Sequence, residues 1–91
     1  MKIHVKSVTQ SFLIKPVITV RLNGEERAWI NCGDSEIIEA ADGENTLEFS
    51  TSLRKKSVRF QAAKDVSITL KWNRISGGLE ALVSGEDVKV L

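Results

Sequence analysis

The chain has one cysteine, one histidine, one proline and no tyrosine in 91 residues. A single thiol closes no internal disulfide, which excludes the disulfide-stapled class of small secreted domains. Cys32 and His4 alone supply neither a C-x-x-C nor an H-x-x-x-H set, so a structural zinc site is not expected. No apolar run approaches the ~18 residues of a membrane-spanning helix. Neither sign of charge dominates: 13 Lys and Arg stand against 12 Asp and Glu, a formal +1. That balance argues against a dedicated polyanion binder driven by net charge, and nucleic acid is not the expected partner. The run Met1 to Lys6 has no continuous apolar stretch, so no signal peptide is expected and the location is cytoplasmic by default. A fragment of an exported or tethered protein is the alternative.

What is present points to strands. Val, Ile, Leu and Phe number 9, 8, 8 and 3, so β-branched residues outnumber Leu about two to one, and Ala numbers only 6. Such a chain buries roughly 60–65% of its unfolded surface, so one well-patterned apolar set must form the core. Met1, Ile3 and Val5 alternate with Lys2, His4 and Lys6, the two-residue period of a half-buried strand. Pro16 opens a second run, Val17 to Leu22, with Ile18, Val20 and Leu22 on one face. Asn23-Gly24 follows, and both residues accept the positive φ that a two-residue type I′ hairpin demands. The returning strand is Glu25 to Ile30, with Ala28 and Ile30 on one face and Trp29 on the other. Asn31 to Asp34 is a turn by composition.

Further strands are expected over Glu36 to Ala40, Thr46 to Ser50, Ser57 to Ala62, Val66 to Trp72, Leu79 to Ser84 and Val88 to Leu91. Leu47 and Phe49 face inward, as do Val58, Phe60 and Ala62, and then Val66, Ile68, Leu70 and Trp72. The segment 51–56 reads as a polar connection. Eight or nine short strands with turn signals every 8 to 12 residues mark a small β-sandwich or barrel. The expected fold is a single all-β domain over residues 1–91, an antiparallel sandwich of about eight strands joined by hairpins. Lys2, Lys6, Lys89 and Pro16 are the residues expected to guard sheet edges.

The succession Val20-x-Leu22-Asn23-Gly24-Glu25, Glu36-Ile37-Ile38, and Asp42-Gly43-x-Asn45-x-Leu47-x-Phe49 resembles small PEGA-type β-sandwich modules. The pattern there is a hydrophobic-(D/N)-G hairpin followed by G-x-H-x-hydrophobic. Arg54-x-Lys56-Ser57 and Phe60 resemble the linker and next strand of uncharacterised bacterial relatives. The likeness spans about residues 17 to 70, and Asn45 stands where that pattern has His. It implies a non-enzymatic adhesion, surface-display or assembly module, with no catalytic residues to carry over.

No constellation of catalytic residues is visible. Cys32 lies in a turn beside Asp34, and His4 is a solvated strand residue, so no local feature joins them into a nucleophile and base. Asp34, Glu36, Asp42 and Glu44 lack the D-x-D-x-D-G spacing of a calcium loop. Glu25-Glu26 and Glu86-Asp87 sit in hairpin turns, where carboxylates are usually solvated. Gly77-Gly78 and Gly85 are not followed by Lys-Ser/Thr, so there is no P-loop. No cofactor, metal or enzymatic activity is expected.

Candidate contact residues are apolar or basic. Trp72 is in phase with a core face, whereas Trp29 is out of phase with Ala28 and Ile30: it is either exposed or caps the other sheet face, and it is the better ligand contact of the two. Phe12-Leu13-Ile14 breaks the alternation. It is either a plug that crosses between sheets or an exposed anchor, with Phe12 and Leu13 docking a partner or a second copy of the chain. Arg54, Lys55, Lys56 and Arg59 form the basic cluster. The leading expectation is a non-enzymatic interaction or structural module that binds a protein partner or itself. The alternative is a nucleic-acid- or polyanion-binding small β-barrel using that basic cluster.

The hairpin assignment is directly testable. If Gly24 has positive φ, Gly24→Val strains the turn and lowers stability by more than ~1 kcal/mol. A melting temperature unchanged within error contradicts the turn.

Overall fold

Side chains on successive strand residues point to opposite faces, so each alternating run above can bury one face only. A computed structural model of the chain, which describes residues 1–8, 17–73, 75 and 77–91, shows where those faces meet. Nine strands are formed: β1 Lys2–Ser7, β2 Val17–Leu22, β3 Glu25–Asn31, β4 Ser35–Glu39, β5 Gly43–Ser50, β6 Lys55–Ala62, β7 Val66–Trp72, β8 Leu79–Gly85 and β9 Lys89–Val90. They make two sheets, in the orders β4-β1-β7-β8 and β3-β2-β5-β6-β9. Neither sheet closes on itself, so the architecture is a sandwich and not a barrel.

The inward faces fill the space between the sheets. Ile3 and Val5 of β1 and Val66, Ile68 and Leu70 of β7 meet Ile18, Val20, Ile30, Leu47, Phe49 and Phe60 from the other sheet, all essentially inaccessible to solvent. Burying an aliphatic or aromatic side chain this fully is worth about 1.5–3 kcal/mol each, which makes this set the main source of cohesion.

Pairing differs from the sequence expectation in three respects. First, β1 runs parallel to β7, with Ile3 opposite Val66 and Val5 opposite Ile68, so the sandwich is antiparallel except for this pair. A parallel neighbour needs a long connection, and here β1 and β7 are separated by the whole of the second sheet's hairpins. Second, β1 is flanked on both sides, by β4 and β7, so Lys2 and Lys6 are not edge guards. Lys89 does lie on the edge strand β9, and Pro16 falls outside the described residues. Third, β5 and β6 are longer than their alternation suggested. They pair from Gly43 opposite Ala62 to Ser50 opposite Lys55, which places Lys55 and Lys56 within a strand.

The Asn23-Gly24 turn has φ of 51° and 86°, the positive values of the type I′ hairpin. A bulge between Val20 and Arg21 shifts the register of β2 on β3 just before it. The turn is fixed from outside by a small polar network. Asn23 Nδ2 donates to Asn45 Oδ1 at 3.0 Å, and Asn45 Nδ2 donates to the Ala41 carbonyl at 2.8 Å. The Thr46 amide donates to Asn23 Oδ1 at 2.8 Å. Asn45 is buried, 3% exposed, and both ends of its amide are used. It thereby ties the first hairpin, β5 and the 40–42 crossing between sheets.

Removing that amide leaves partners unsatisfied, which costs about 1–3 kcal/mol for a buried group. Asn45→Ala is therefore expected to lower urea-unfolding stability by that amount. Asn45→Asp, which keeps the acceptor for Asn23 and loses the donor to Ala41, is expected to remain destabilised. A stability equal to the parent for Asn45→Ala contradicts the pinning role.

Candidate functional site

The two sides of the sandwich are closed differently. On one side β3 and β4 follow each other in sequence and are joined by the turn at 32–34. There Gly33 N–H donates to the Ser7 carbonyl at 3.1 Å and Ser7 N–H to the Asp34 carbonyl at 2.9 Å, stitching the turn to β1. Cys32 donates its thiol to the Val8 carbonyl at 3.3 Å. On the other side β8 ends one sheet and β9 ends the other, and β9 is only two residues long.

Among the described residues that short strand covers the second half of β6 and not the first. β9 pairs with Phe60 and Gln61, and the Leu91 amide adds one bond to the Arg59 carbonyl at 2.8 Å. In an antiparallel ladder, a residue's N–H and C=O point to the same neighbour, and the direction alternates along the strand. The Arg59 carbonyl points to Leu91, so Ser57 and Lys55, two and four residues earlier, point the same way. The opposite ladder agrees: Thr46, paired with Arg59, accepts from Asn23 on the far side of β5. Among the described residues no strand faces the Lys55 and Ser57 main chain on this side.

A groove of about 320 Å³ runs along this seam, between the uncovered part of β6 and the edge strand β8. Lys56, Val58, Ala81, Leu82, Val83 and Val90 line it. Ala81 and Val83 turn toward the core from β8 and are half-buried, while Leu82, Val90 and Leu91 are 53%, 56% and 46% exposed. The three bring partly exposed apolar surface to the rim of this groove.

The sequence-derived candidates are separated by the fold. Phe12 and Leu13 lie outside the described residues. Trp29 is 64% exposed on the outer face of β3, opposite Thr19 of β2. It sits at the far edge of its sheet from β6, so it is not part of the seam. Trp72, expected in the core, is half-buried at its rim.

The basic cluster divides by role. Arg54 Nε donates to the Gly77 carbonyl at 2.8 Å and Nη1 to the Leu53 carbonyl at 3.2 Å, linking the β5–β6 turn to the β7–β8 turn. Lys55 lies 3.6 Å from Glu48, and Arg59 lies 3.1 Å from Glu44, on the outer face of the sheet. Such exposed pairs contribute about 0–1 kcal/mol each. Lys56 makes no ion pair among the described residues and stands at the mouth of the groove. Composition pointed to these cations, but no periodic signal pointed to Leu82, Val90 and Leu91. Leu82 alternates outward from Ala81 and Val83, opposite Thr69 of β7, while Val90 and Leu91 lie opposite Phe60 and Arg59 of β6.

No group of three or more His, Cys, Asp or Glu is close enough to hold a metal ion among the described residues, and no helix is long and apolar enough to cross a membrane. Comparison with protein-family models, with characterised proteins and with solved structures finds no match to this chain.

The two tryptophans give a simple check of this surface. Trp29→Phe is expected to remove most of the acrylamide-quenchable fluorescence, and Trp72→Phe to leave it. Equal quenching of the two single-tryptophan proteins contradicts the placement of Trp29.

Proposed function

We propose that the protein is a non-enzymatic interaction module that docks a protein partner in the seam between β6 and β8. The observation that carries this reading is the coincidence, at one groove, of exposed apolar side chains and uncovered strand main chain. Leu82, Val90 and Leu91 supply apolar area, and the Lys55 and Ser57 main chain, which no strand faces among the described residues, supplies hydrogen-bonding groups. Apolar anchors surrounded by polar residues are how most protein interfaces gain their affinity. The resemblance to PEGA-type modules is consistent with such a role.

The nucleic-acid alternative called for a small barrel with a basic face. The sheets stay open, and Arg54, Lys55 and Arg59 are occupied by contacts within the chain, so no specific observation favours it.

Site-specific photo-cross-linking tests the docking surface. A benzophenone amino acid placed at Leu82 is expected to give a discrete adduct in cells, and the adduct is expected to disappear when Val90→Asp is added. The same probe at Ile37, which is 56% exposed on β4 at the other side of its sheet, is expected to give none. Adducts from both positions, or from neither, contradict the seam as the docking surface.

A further inference from the structure

We infer that the partner docked at the seam is a second copy of the chain, whose β8 pairs antiparallel with this β8 about a two-fold axis at Leu82. This inference rests on the docking reading above and names its partner. The main chain of β8 supplies the first reason. The Asn73 amide donates to the Gly78 carbonyl at 2.8 Å, and the Leu70 carbonyl accepts from Val8 on the far side of β7. Direction alternates along a strand, so Glu80, Leu82 and Ser84 bond to β7, opposite Lys71, Thr69 and Ser67. Ala81 and Val83 therefore direct their N–H and C=O groups away from β7, at the end of the sheet, where no strand lies among the described residues. Sheet edges are commonly guarded by Lys, Pro or a bulge. β8 has no Lys, Arg or Pro, and its register on β7 is unbroken. The opposite edge of the same sheet is guarded, since Arg27 Nη2 donates to the Glu39 carbonyl of β4 at 3.0 Å.

A two-fold contact uses the same surface twice, so the strand has to match itself. Centred on Leu82, it does. Ala81 lies opposite Val83 of the second copy, and their outward N–H and C=O groups exchange bonds in pairs. A small side chain there meets a larger one on the inner face. Leu82 lies opposite Leu82 in a non-hydrogen-bonded pair, where facing side chains come closest. The exposed apolar residue of the strand, 53% accessible in the single chain, is thereby set against its own copy. Val90 and Leu91 line the same groove and lie beside this contact.

Charge selects the register. Glu80 is the charged residue of β8. It is already held by Lys71 at 3.8 Å and by Asn73 Nδ2 at 3.0 Å, and in the Leu82 register it faces uncharged Ser84. A pairing centred on Glu80 would set it against itself, and one centred on Val83 would set it against Glu86. Like charges directly opposite are destabilising. A pairing centred on Ala81 would press Glu80 against Leu82.

The test measures the mass of the intact chain by sedimentation velocity over a range of concentrations. A species of twice the 10.1 kDa chain mass is expected, dissociating on dilution. Leu82→Lys sets two positive charges together at the axis, and Ala81→Pro removes an outward N–H that no strand of the same chain uses. Each is expected to weaken dimerisation at least roughly tenfold while leaving the circular dichroism of the monomer unchanged. In a Cys32→Ser background, Leu82→Cys is expected to give a disulfide-linked dimer on mild oxidation, and Glu80→Cys is expected to give none. Should Ala81→Pro not fold, Leu82→Lys and the two cysteine variants decide the matter. A dimer that neither substitution weakens overturns the inference, as does linkage through Glu80→Cys as ready as through Leu82→Cys. A monomer at every concentration also overturns it. If the Leu82 photo-adduct still forms in that case, with a mass other than that of two chains, the seam remains a docking surface and only its partner was misassigned. Loss of both dimer and adduct overturns the docking reading as well.

Discussion

A sheet buries alternate side chains, and in a chain this short every strand must turn that one face toward the opposing sheet. The buried set obeys this constraint without interruption from Ile3 and Val5 through Ile18, Val20 and Leu22 to Ile68 and Leu70. A one-residue slip in any strand would exchange its apolar face for its polar one. The register of the hairpins is therefore fixed twice, by the core and by turn chemistry such as that of Asn23 and Gly24. Asn45 adds a third constraint from within, since its amide is placed between a hairpin and a sheet crossing where no apolar residue satisfies the same groups.

The same constraint explains what was legible in the residues. Strands β2 and β7 begin and end where their alternation does, at Val17–Leu22 and Val66–Trp72, because both faces of the pattern are unambiguous. Strand β6 begins earlier than its apolar pattern because Lys55 and Lys56 pair through their main chain, which side-chain chemistry does not report. The parallel pairing of β1 with β7 was not legible for a related reason. Period and composition describe which face is buried, not which strand lies alongside. Lys2 and Lys6 suit an edge and occur instead in a central strand, where their side chains point to water from the outer face.

The candidate site was harder to read than the fold. The alternation put Trp29 on the face opposite Ala28 and Ile30 without deciding its exposure; it is 64% exposed and lies across the sheet from the seam. The basic residues were found by composition and then divided by the fold among a turn contact, two ion pairs and the mouth of a groove. The seam arises from a mismatch of lengths. β6 has eight residues and β9 has two, so among the described residues β6 is paired on this side only over its second half, while the sheet opposite ends at β8. Natural sheets usually shield such edges with charge or brevity. Here the lysines accompany the free edge, but apolar Leu82, Val90 and Leu91 stand beside it, which fits a surface meant to be covered.

The account depends on β6 being paired on one side only over its first half. Amide hydrogen exchange in the free protein measures this directly. Val58 and Phe60 bond to β5 and are expected to exchange slowly, while Ser57, between them and Lys55 on the uncovered side, is expected to exchange at least tenfold faster, at rates near those of an open strand edge. Uniform protection along Lys55 to Ala62 would mean that the edge is already covered, and would contradict the open seam.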